Sequence, residues 1–335
     1  MNGNRKIEEQ DETEMPRVIG GDDDFDDWDQ ELSEDEIDGR ILEVFGPKLR
    51  ITDQPWSPLL YDNPPPTLFH YTNAAALLGI LSSETIWASH QEYLNDDHEV
   101  KYVESLILQS VESFRSSAKE VNSRAIEALN IEIGKKASRI AADEFCVASF
   151  SETGDLLSQW ERYAGPHGYS IGFNVDRLID AGQCPLARVV YDEKVQLEIF
   201  SSLMQQAFEL FLNEPTEEPE NYDETWAKDL LSAMYVVGLS FKHSSFAEEK
   251  EWRCMKLIQK FDAMELRFRP GKFGIVPYLP IPLETNDGDD AISEIIIGST
   301  HYFEESARAL KMALERYRID VPLSAIRRSS VTLRV

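Results

Sequence analysis

Three short segments, far apart in the chain, combine apolar strand-type residues with polar side chains that a packed core would not choose. They are Phe69-His70-Tyr71-Thr72, Ser149-Phe150-Ser151-Glu152 and Glu248-Glu249-Lys250-Glu251-Trp252-Arg253. Each pattern is typical of the end of a β-strand. The chain is therefore constrained to a sheet assembled from distant strands, with polar residues at the ends of those strands.

The other hydrophobic patterns predict an α+β fold, with strands towards both ends of the sequence and helices concentrated between them. A proline-containing acidic link separates two long predicted helices, at about 193–213 and 222–242. Shorter helices are predicted at about 74–81, 97–114, 119–142, 155–163 and 303–317. Strands are predicted at 69–72, 85–88, 145–150, 169–173, 188–191, 251–258, 264–269, 292–298 and 330–335.

The N-terminal segment 1–39 differs sharply from the rest in composition. It holds 16 acidic and three basic residues, which gives −13 of the total charge of −28. Its few apolar residues do not offset the conformational entropy lost on ordering, so it is predicted to be a disordered tail. Phe25 and Trp28 within it suggest an anchor for a protein partner. Residues 40–335 are predicted to form a single domain with a helical insert at about 193–242.

Composition also limits the classes of function. A net charge of −28 does not attract phosphate backbones, so non-specific nucleic-acid binding is not expected. There is no run of about 18 apolar residues and no apolar stretch at the N-terminus, so neither a membrane span nor a signal peptide is expected. Cys146, Cys184 and Cys254 are widely spaced and form no CxxC motif. A reducing, cytoplasmic setting without disulfides or a metal site is therefore expected.

His70 and Tyr71 lie between a predicted strand and a helix that Thr72 or Asn73 would cap. In a binding site, His70 would donate a hydrogen bond to a ribose hydroxyl or nicotinamide group, and Tyr71 would stack or bond beside it. The turn into the helix also offers backbone N–H groups to a ligand. The alternative is a core histidine that the backbone satisfies.

Ser149 and Ser151 would share one face of a strand while Phe150 faces the core. The alternative is the polar outer face of a half-buried strand. Trp160 and Tyr163 are three residues apart on the next predicted helix and would lie on one face. They form either a platform for a ligand or part of the core.

Glu249, Glu251 and Arg253 would alternate along one face if their segment is extended. Two close carboxylates raise each other's pKa, and the arginine opposes this effect. Such a pair is suited to polarise a ribose hydroxyl and to stabilise an oxocarbenium-like state. The alternative is an exposed, charged edge strand.

Motifs of other chemistries are absent from the sequence. It contains no G-x-x-x-x-G-K-[ST], no G-x-G-x-x-G and no G-x-S-x-G. Asp96, Asp97 and His98 are explained more simply as the start of a helix, with Asp96 and Glu99 as a capping box, than as metal ligands.

Over roughly residues 67–300, the chain resembles the bacterial and archaeal family known as domain of unknown function 2971. The residues that carry the resemblance are Phe69-His70-Tyr71-Thr72, Glu92-Tyr93-Leu94-Asn95-Asp96, Ser149-Phe150-Ser151-Glu152 with Trp160 and Tyr163, Glu249-Lys250-Glu251-Trp252-Arg253 and Ile295-Ile296-Ile297-Gly298. The family name implies no activity.

A more distant resemblance does imply one. The opening His70-Tyr71-Thr72, a short helix with an Ile-Leu pair and the loop containing Asn95 are similar to ADP-ribosyltransferases that modify DNA bases. Ser149-x-Ser151 and Glu249-x-Glu251 are similar to the pairs of arginine- and protein-modifying transferases. The first strand of this chain carries no obvious arginine, and its long helical insert is unlike a minimal transferase.

The resemblance implies an ADP-ribosyltransferase-like mixed sheet core with helical insertions and NAD as the substrate. His70 would bind the ribose and nicotinamide side of NAD, Asn95 would lie near it, and Glu251 or Glu249 would be the catalytic acid. We expect Tyr71, Thr72, Ser149, Ser151, Trp160, Tyr163 and Arg253 to complete the site.

The expected activity is transfer of ADP-ribose from NAD to a protein, DNA, RNA or water, in the setting of a toxin or a phage-defence effector. One alternative is a catalytically inactive module of the same fold that binds a nucleotide or a protein partner. The other is an RNA-directed phosphotransferase or nuclease. NAD consumption distinguishes the first activity from the inactive module, and RNA cleavage without NAD would favour the third reading.

Overall fold

The structure is a computed structural model that describes residues 43–44, 49–50, 55–61, 63–94, 97–117, 123–136, 144–165, 167–182, 186–213, 222–258, 265–271 and 274–332. The predicted tail at 1–39 and the proposed capping residue Asp96 lie outside these ranges. Within them the chain forms a mixed sheet with flanking helices, in agreement with the predicted α+β class.

The strands and helices are bounded as follows. The strands are β1 Glu43–Val44, β2 Leu49–Arg50, β3 Thr67–Thr72, β4 Thr85–His90, β5 Glu144–Ser151, β6 Tyr169–Asn174, β7 Leu186–Arg188, β8 Glu251–Ile258, β9 Arg267–Gly271, β10 Gly274–Pro282, β11 Ile292–Ile297 and β12 Ile326–Arg328. The helices are α1 Ser57–Tyr61, α2 Ala74–Ser83, α3 Asp97–Ser117, α4 Ser123–Lys136, α5 Leu157–Gln159 with a π-helical continuation Trp160–Ala164, α6 Val175–Gly182, α7 Glu193–Asn213, α8 Tyr222–Gly238 and α9 Phe303–Tyr317.

The main sheet divides at β5. One edge of β5 pairs with β8 along its whole length, from Glu144 to Ser151. The other edge is shared, because β4 pairs with it at Cys146 and Val147 and β3 pairs with it at Ser151. Strands β3 and β4 therefore separate beside the middle of β5, and a cavity lies at this separation.

Two large apolar cores support the two sides of the molecule. The first packs the sheet against α2, α6 and α9, and it includes Phe150, Trp252 and Leu314. The second is formed mainly by α3, α4, α7 and α8, and it includes Phe200 and Trp226. The predicted helical insert therefore shares a core with helices that precede it in the sequence.

Several predicted elements need correction. The last strand in the described ranges is β12, parallel to β11; residues 330–332 of the predicted final strand are irregular, since the Ser330 N–H donates to Asp155, and 333–335 lie outside those ranges. The sequence pattern missed β10, which contains three prolines; proline lacks the N–H of a strand ladder. Cys254 is disulfide-bonded, contrary to the expectation, because the spacing of cysteines along the chain does not reveal which of them come close in space.

None of the helices in the described ranges is long and apolar enough to cross a membrane.

The Tyr71 side chain fastens the loop that follows β5. Its hydroxyl donates to the carbonyl of Thr153 at 2.7 Å and accepts from the N–H of Leu156 at 2.9 Å. Its ring meets Trp160 edge to face, with centroids 5.0 Å apart. This loop leads into α5, so Tyr71 positions the helix that carries Arg162 and Tyr163.

We expect Tyr71→Phe to lower the free energy of unfolding by about 1–3 kcal/mol, because it leaves a carbonyl and an N–H without their partner. Urea denaturation measures the change. Tyr169→Phe is the matched control, since half-buried Tyr169 pairs with Thr72 across β6 and β3, and its hydroxyl makes no hydrogen bond to the residues that the structure describes. Equal losses in the two variants would contradict the anchoring role.

Candidate active site

A cavity of about 750 Å³ opens where β3 and β4 separate. Strands β3 and β5 contribute His70 and Ser149 to its wall, and β4 contributes Trp87 and Ser89. Ligand-binding cavities typically enclose about 300–1,000 Å³, so this one accommodates a ligand of nucleotide size.

A buried cluster of charged side chains lies at one end of the cavity. Its central cation is Lys242, which follows α8. The Lys242 ammonium lies 2.7 Å from a carboxylate oxygen of Glu249, 2.9 Å from one of Glu251 and 3.1 Å from one of Glu99. Three carboxylates from three separate elements therefore converge on one buried ammonium group.

Two arginines complete the cluster. Arg253 donates from Nε to Glu251 at 2.8 Å, and its Nη2 lies 2.8 Å from Glu99. Its Nη1 donates to the carbonyl of Leu239 at 2.6 Å. Arg162 donates to Glu249 at 2.7 Å from the half-exposed side of the cluster. The charges alternate, and the three carboxylates and three cations sum to zero.

The cluster holds Glu251 in its charged form. Burial alone would raise the pKa of Glu251, but the charges of Arg253 and Lys242 and their hydrogen bonds hold it at about 2. Burial lowers the pKa of Lys242, but the charges of Glu251 and Glu99 outweigh this effect and raise it above its usual value. At neutral pH Glu251 is a carboxylate with no proton to donate, so it can act as an anion and a hydrogen-bond acceptor but not as a proton donor.

The two glutamates do not alternate along one strand, so this part of the predicted geometry is wrong. Glu249 ends a 3₁₀-helix, Ser244–Glu249, and β8 begins at Glu251. Between them Lys250 has φ 43° and ψ 54°, the left-handed conformation, which turns the chain so that both carboxylates meet Lys242. The alternative of an exposed edge strand is also wrong, because β8 pairs with both β5 and β7.

His70 presents a hydrogen-bond acceptor to the cavity and not the predicted donor. Its Nδ1 lies 3.0 Å from the carbonyl oxygen of Ser149. Because a carbonyl oxygen only accepts, Nδ1 carries the hydrogen. Burial lowers the pKa of His70, the hydrogen bond to Ser149 opposes this, and the charge of Arg269 lowers it further. The ring is therefore neutral and Nε2 is unprotonated.

The structure brings seven further predicted site residues to the same cavity. Its lining includes Tyr71, Thr72, Ser149, Tyr163, Glu249, Glu251 and Arg253. Burial raises the pKa of Tyr163 to about 12, so its phenol stays protonated and can donate a hydrogen bond. The predicted site residue Asn95 lies outside the residues that the structure describes.

Three predicted ligand contacts are used by the fold instead. Tyr71 lines the cavity beside His70, but its hydroxyl is bonded to the Thr153 carbonyl and the Leu156 N–H. Ser151 donates to the carbonyl of Glu249 at 2.7 Å and accepts from the Thr153 N–H. Trp160 is fully buried and its Nε1 donates to Asp155. The polar atoms of these three side chains therefore stabilise the segments around the cavity.

The sequence patterns missed Lys242, Phe246 and Arg269, which also line the cavity. The centre of the Phe246 ring lies 5.0 Å from both the Lys242 ammonium and the Arg162 guanidinium, and this cation–π contact stabilises both charged groups. A lysine directly after the apolar run that ends at Phe241 is the one local signal for Lys242. Glu99 was assigned only to a helix start, yet its carboxylate belongs to the cluster.

Residues 159–254 match the family model described as Protein of unknown function (DUF2971), which confirms the resemblance to that family over this segment. The matched segment includes Arg162, Lys242, Glu249, Glu251 and Arg253. No curated protein and no solved structure matches the chain.

Acidification is expected to destabilise the protein through Glu251. Because the pKa of this group is lower in the folded than in the unfolded state, its contribution is fully present above about pH 4.5 and is lost as the pH falls towards 2. Urea denaturation between about pH 6 and about pH 3 should show this decline in the wild type and a shallower one in Glu251→Gln.

The same variant is expected to lose about 3–5 kcal/mol at neutral pH, because Lys242 and Arg253 stay buried with one anion fewer. Glu294→Gln, which breaks the surface pair with Arg327, is the control and should cost about 0–1 kcal/mol. A Glu251→Gln profile parallel to that of the wild type would show that the cluster does not govern acid stability.

Proposed function

We propose that this chain is an NAD-dependent ADP-ribosyltransferase-like protein that breaks the nicotinamide–ribose bond and passes ADP-ribose to a macromolecule or to water. The observation that supports this most is that neutral His70 and the carboxylates of Glu249 and Glu251 line one cavity of nucleotide size. Both types of group accept hydrogen bonds from ribose hydroxyls, which are donors.

In the proposed reaction, the bond from ribose C1′ to the nicotinamide nitrogen breaks. The bonding electron pair leaves with nicotinamide, which becomes neutral, and positive charge develops on the ribose. A carboxylate that accepts a hydrogen bond from the ribose 2′-hydroxyl stabilises this charge. An acceptor nucleophile then bonds to C1′ and loses its proton to solvent or to a base of the acceptor.

The ionised carboxylate of Glu251 suits this stabilising role, and it cannot serve as a general acid. Glu251 remains a carboxylate well below neutral pH. Its Oε1 accepts only from Arg253 Nε and keeps a lone pair for a ribose hydroxyl, whereas its Oε2 accepts from both Lys242 and Arg253. Glu249 is the second carboxylate with the same access. Lys242 and Arg253 cancel much of the field of these anions at a distance, so catalysis depends on direct contact with the ribose.

The same cancellation favours a second candidate, a catalytically inactive nucleotide-binding module of this fold. All three carboxylates of the cluster are each bonded to two cations, which is the arrangement of a structural network. Such a module would bind NAD without releasing nicotinamide. A macromolecular acceptor and a role as a toxin or antiviral effector belong to the transferase proposal and not to this second candidate.

We expect His70→Ala to weaken NAD binding by about 0.5–1.5 kcal/mol, the loss of one hydrogen bond. Calorimetric titration measures the affinity, and a melting curve shows whether the fold survives. His301→Ala replaces an exposed histidine outside the cavity and is the matched control. Unchanged affinity together with a large drop in Tm would assign His70 to the fold alone.

Removal of one negative charge at Glu249 or Glu251 is expected to reduce NAD turnover by on the order of 10²–10³-fold, the effect of deleting a preorganised stabilising group. The assay follows nicotinamide release with labelled NAD and cell lysate, using Glu249→Gln, Glu251→Gln and the control Glu294→Gln. Circular dichroism identifies a temperature at which all variants are folded, and turnover is compared at that temperature.

Wild-type turnover in both folded variants would exclude these carboxylates from the reaction. If the wild-type protein binds NAD but never releases nicotinamide, the inactive module is the correct reading.

A further inference from the structure

Arg269 on β9 lines the cavity, and its guanidinium has no counterion among the residues that the structure describes. Its Nη2 donates to the hydroxyl of Ser89 at 2.8 Å, and its Nη1 makes a long contact of 3.5 Å with the carbonyl of Pro270. No carboxylate of the described residues pairs with it. Both of its contacts are to neutral groups.

This arrangement is costly as it stands. Partial burial lowers the pKa of Arg269, and no carboxylate of the described residues opposes this effect. Its buried Nε has no hydrogen-bond partner among the described residues. A desolvated cation is stabilised when an anion occupies the space that it faces.

The absence of a counterion stands out in this chain, which contains 61 acidic and 33 basic residues. At the other end of the cavity, Lys242, Arg253 and Arg162 are all neutralised by carboxylates. The charge of Arg269 is instead felt at His70, whose pKa it lowers. The cavity therefore has one electrically neutral end and one positive end.

The N-terminus of α2 adds to the positive end. Asn73 and Ala76 both line the cavity, and Asn73 caps the helix by accepting from the Ala76 N–H at 2.9 Å. The amino end of a ten-residue helix carries unpaired N–H groups and partial positive charge, which favour an anion.

We propose that Arg269, Ser89 and the N-terminus of α2 form a subsite for the phosphate groups of a nucleotide ligand. The inference deepens the proposed function and rests on it for the identity of the nucleotide, since NAD carries a pyrophosphate. It also sets the direction of the ligand: the phosphates lie at Arg269 and Ser89, and the glycosidic bond lies towards His70 and the carboxylates.

The test compares ADP with adenosine, which differ only in the phosphate groups. Affinities for the full-length chain are measured by calorimetric titration, with Trp87 in the cavity wall as a fluorescence reporter. Wild-type protein should bind ADP at least about tenfold more tightly than adenosine, and Arg269→Gln should remove that preference while it leaves adenosine binding unchanged. Arg269→Lys should retain part of it, because lysine keeps the charge without the planar fork.

Arg267→Gln is the matched control, since Arg267 is an exposed arginine on the same strand and does not line the cavity. It should change ADP affinity by no more than about twofold. Inorganic pyrophosphate as a competitor separates the two sources of the anion: weak competition identifies a nucleotide, and competition as strong as that of ADP identifies free pyrophosphate at the same subsite. Melting curves establish that each variant is folded.

Equal affinity of wild type and Arg269→Gln for ADP, or no preference of the wild type for ADP over adenosine, would overturn the subsite. Because ADP has no nicotinamide to release, this result is independent of NAD turnover. A protein that discriminates ADP through Arg269 but never cleaves NAD would retain the subsite and lose the proposed transferase activity.

Discussion

The buried ammonium of Lys242 is the interaction on which the rest of the structure depends. It contacts Glu99 from α3, Glu249 from the 3₁₀-helix and Glu251 from β8. Each of these ions would cost several kcal/mol to bury alone, so the elements that carry them must stay together. The helical core is thereby held against the sheet, and the two glutamates are fixed at the end of the cavity.

The divided edge of β5 gives that cluster its setting. Because β4 and β3 pair with different parts of the same edge, the wall between them is left open, and the main chain of Ser149 is free to orient the His70 ring. The cavity therefore has the charge-balanced cluster of carboxylates and cations at one end and the positive charge of Arg269 at the other. This polarity, more than the type of any single residue, supports the proposed ligand, which has ribose at one end and phosphate at the other.

Sequence patterns anticipated part of the site. His70, Ser149, Glu249, Glu251 and Arg253 were chosen from three distant segments and Tyr163 from the helix that follows the second, and all of them line one cavity. Tyr71, Ser151 and Trp160 were chosen by the same reasoning, but their polar atoms are satisfied within the fold. A sequence shows that a polar residue lies in a strand or helix, but not whether its hydrogen bond goes to a ligand or to the chain.

The sequence by itself determined the local elements and the charge balance. The cap of α2 at Asn73 and the strand at His70 depend on residues only a few positions away, so the sequence pattern predicts them. The tertiary structure decided which charges are neutralised, which nitrogen of His70 carries hydrogen and where the cavity lies. Those outcomes depend on contacts such as His70 with Ser149, 79 residues apart, and Arg269 with Ser89, 180 residues apart. Electrostatic and hydrogen-bond energies depend on distance in space, which separation along the chain does not specify.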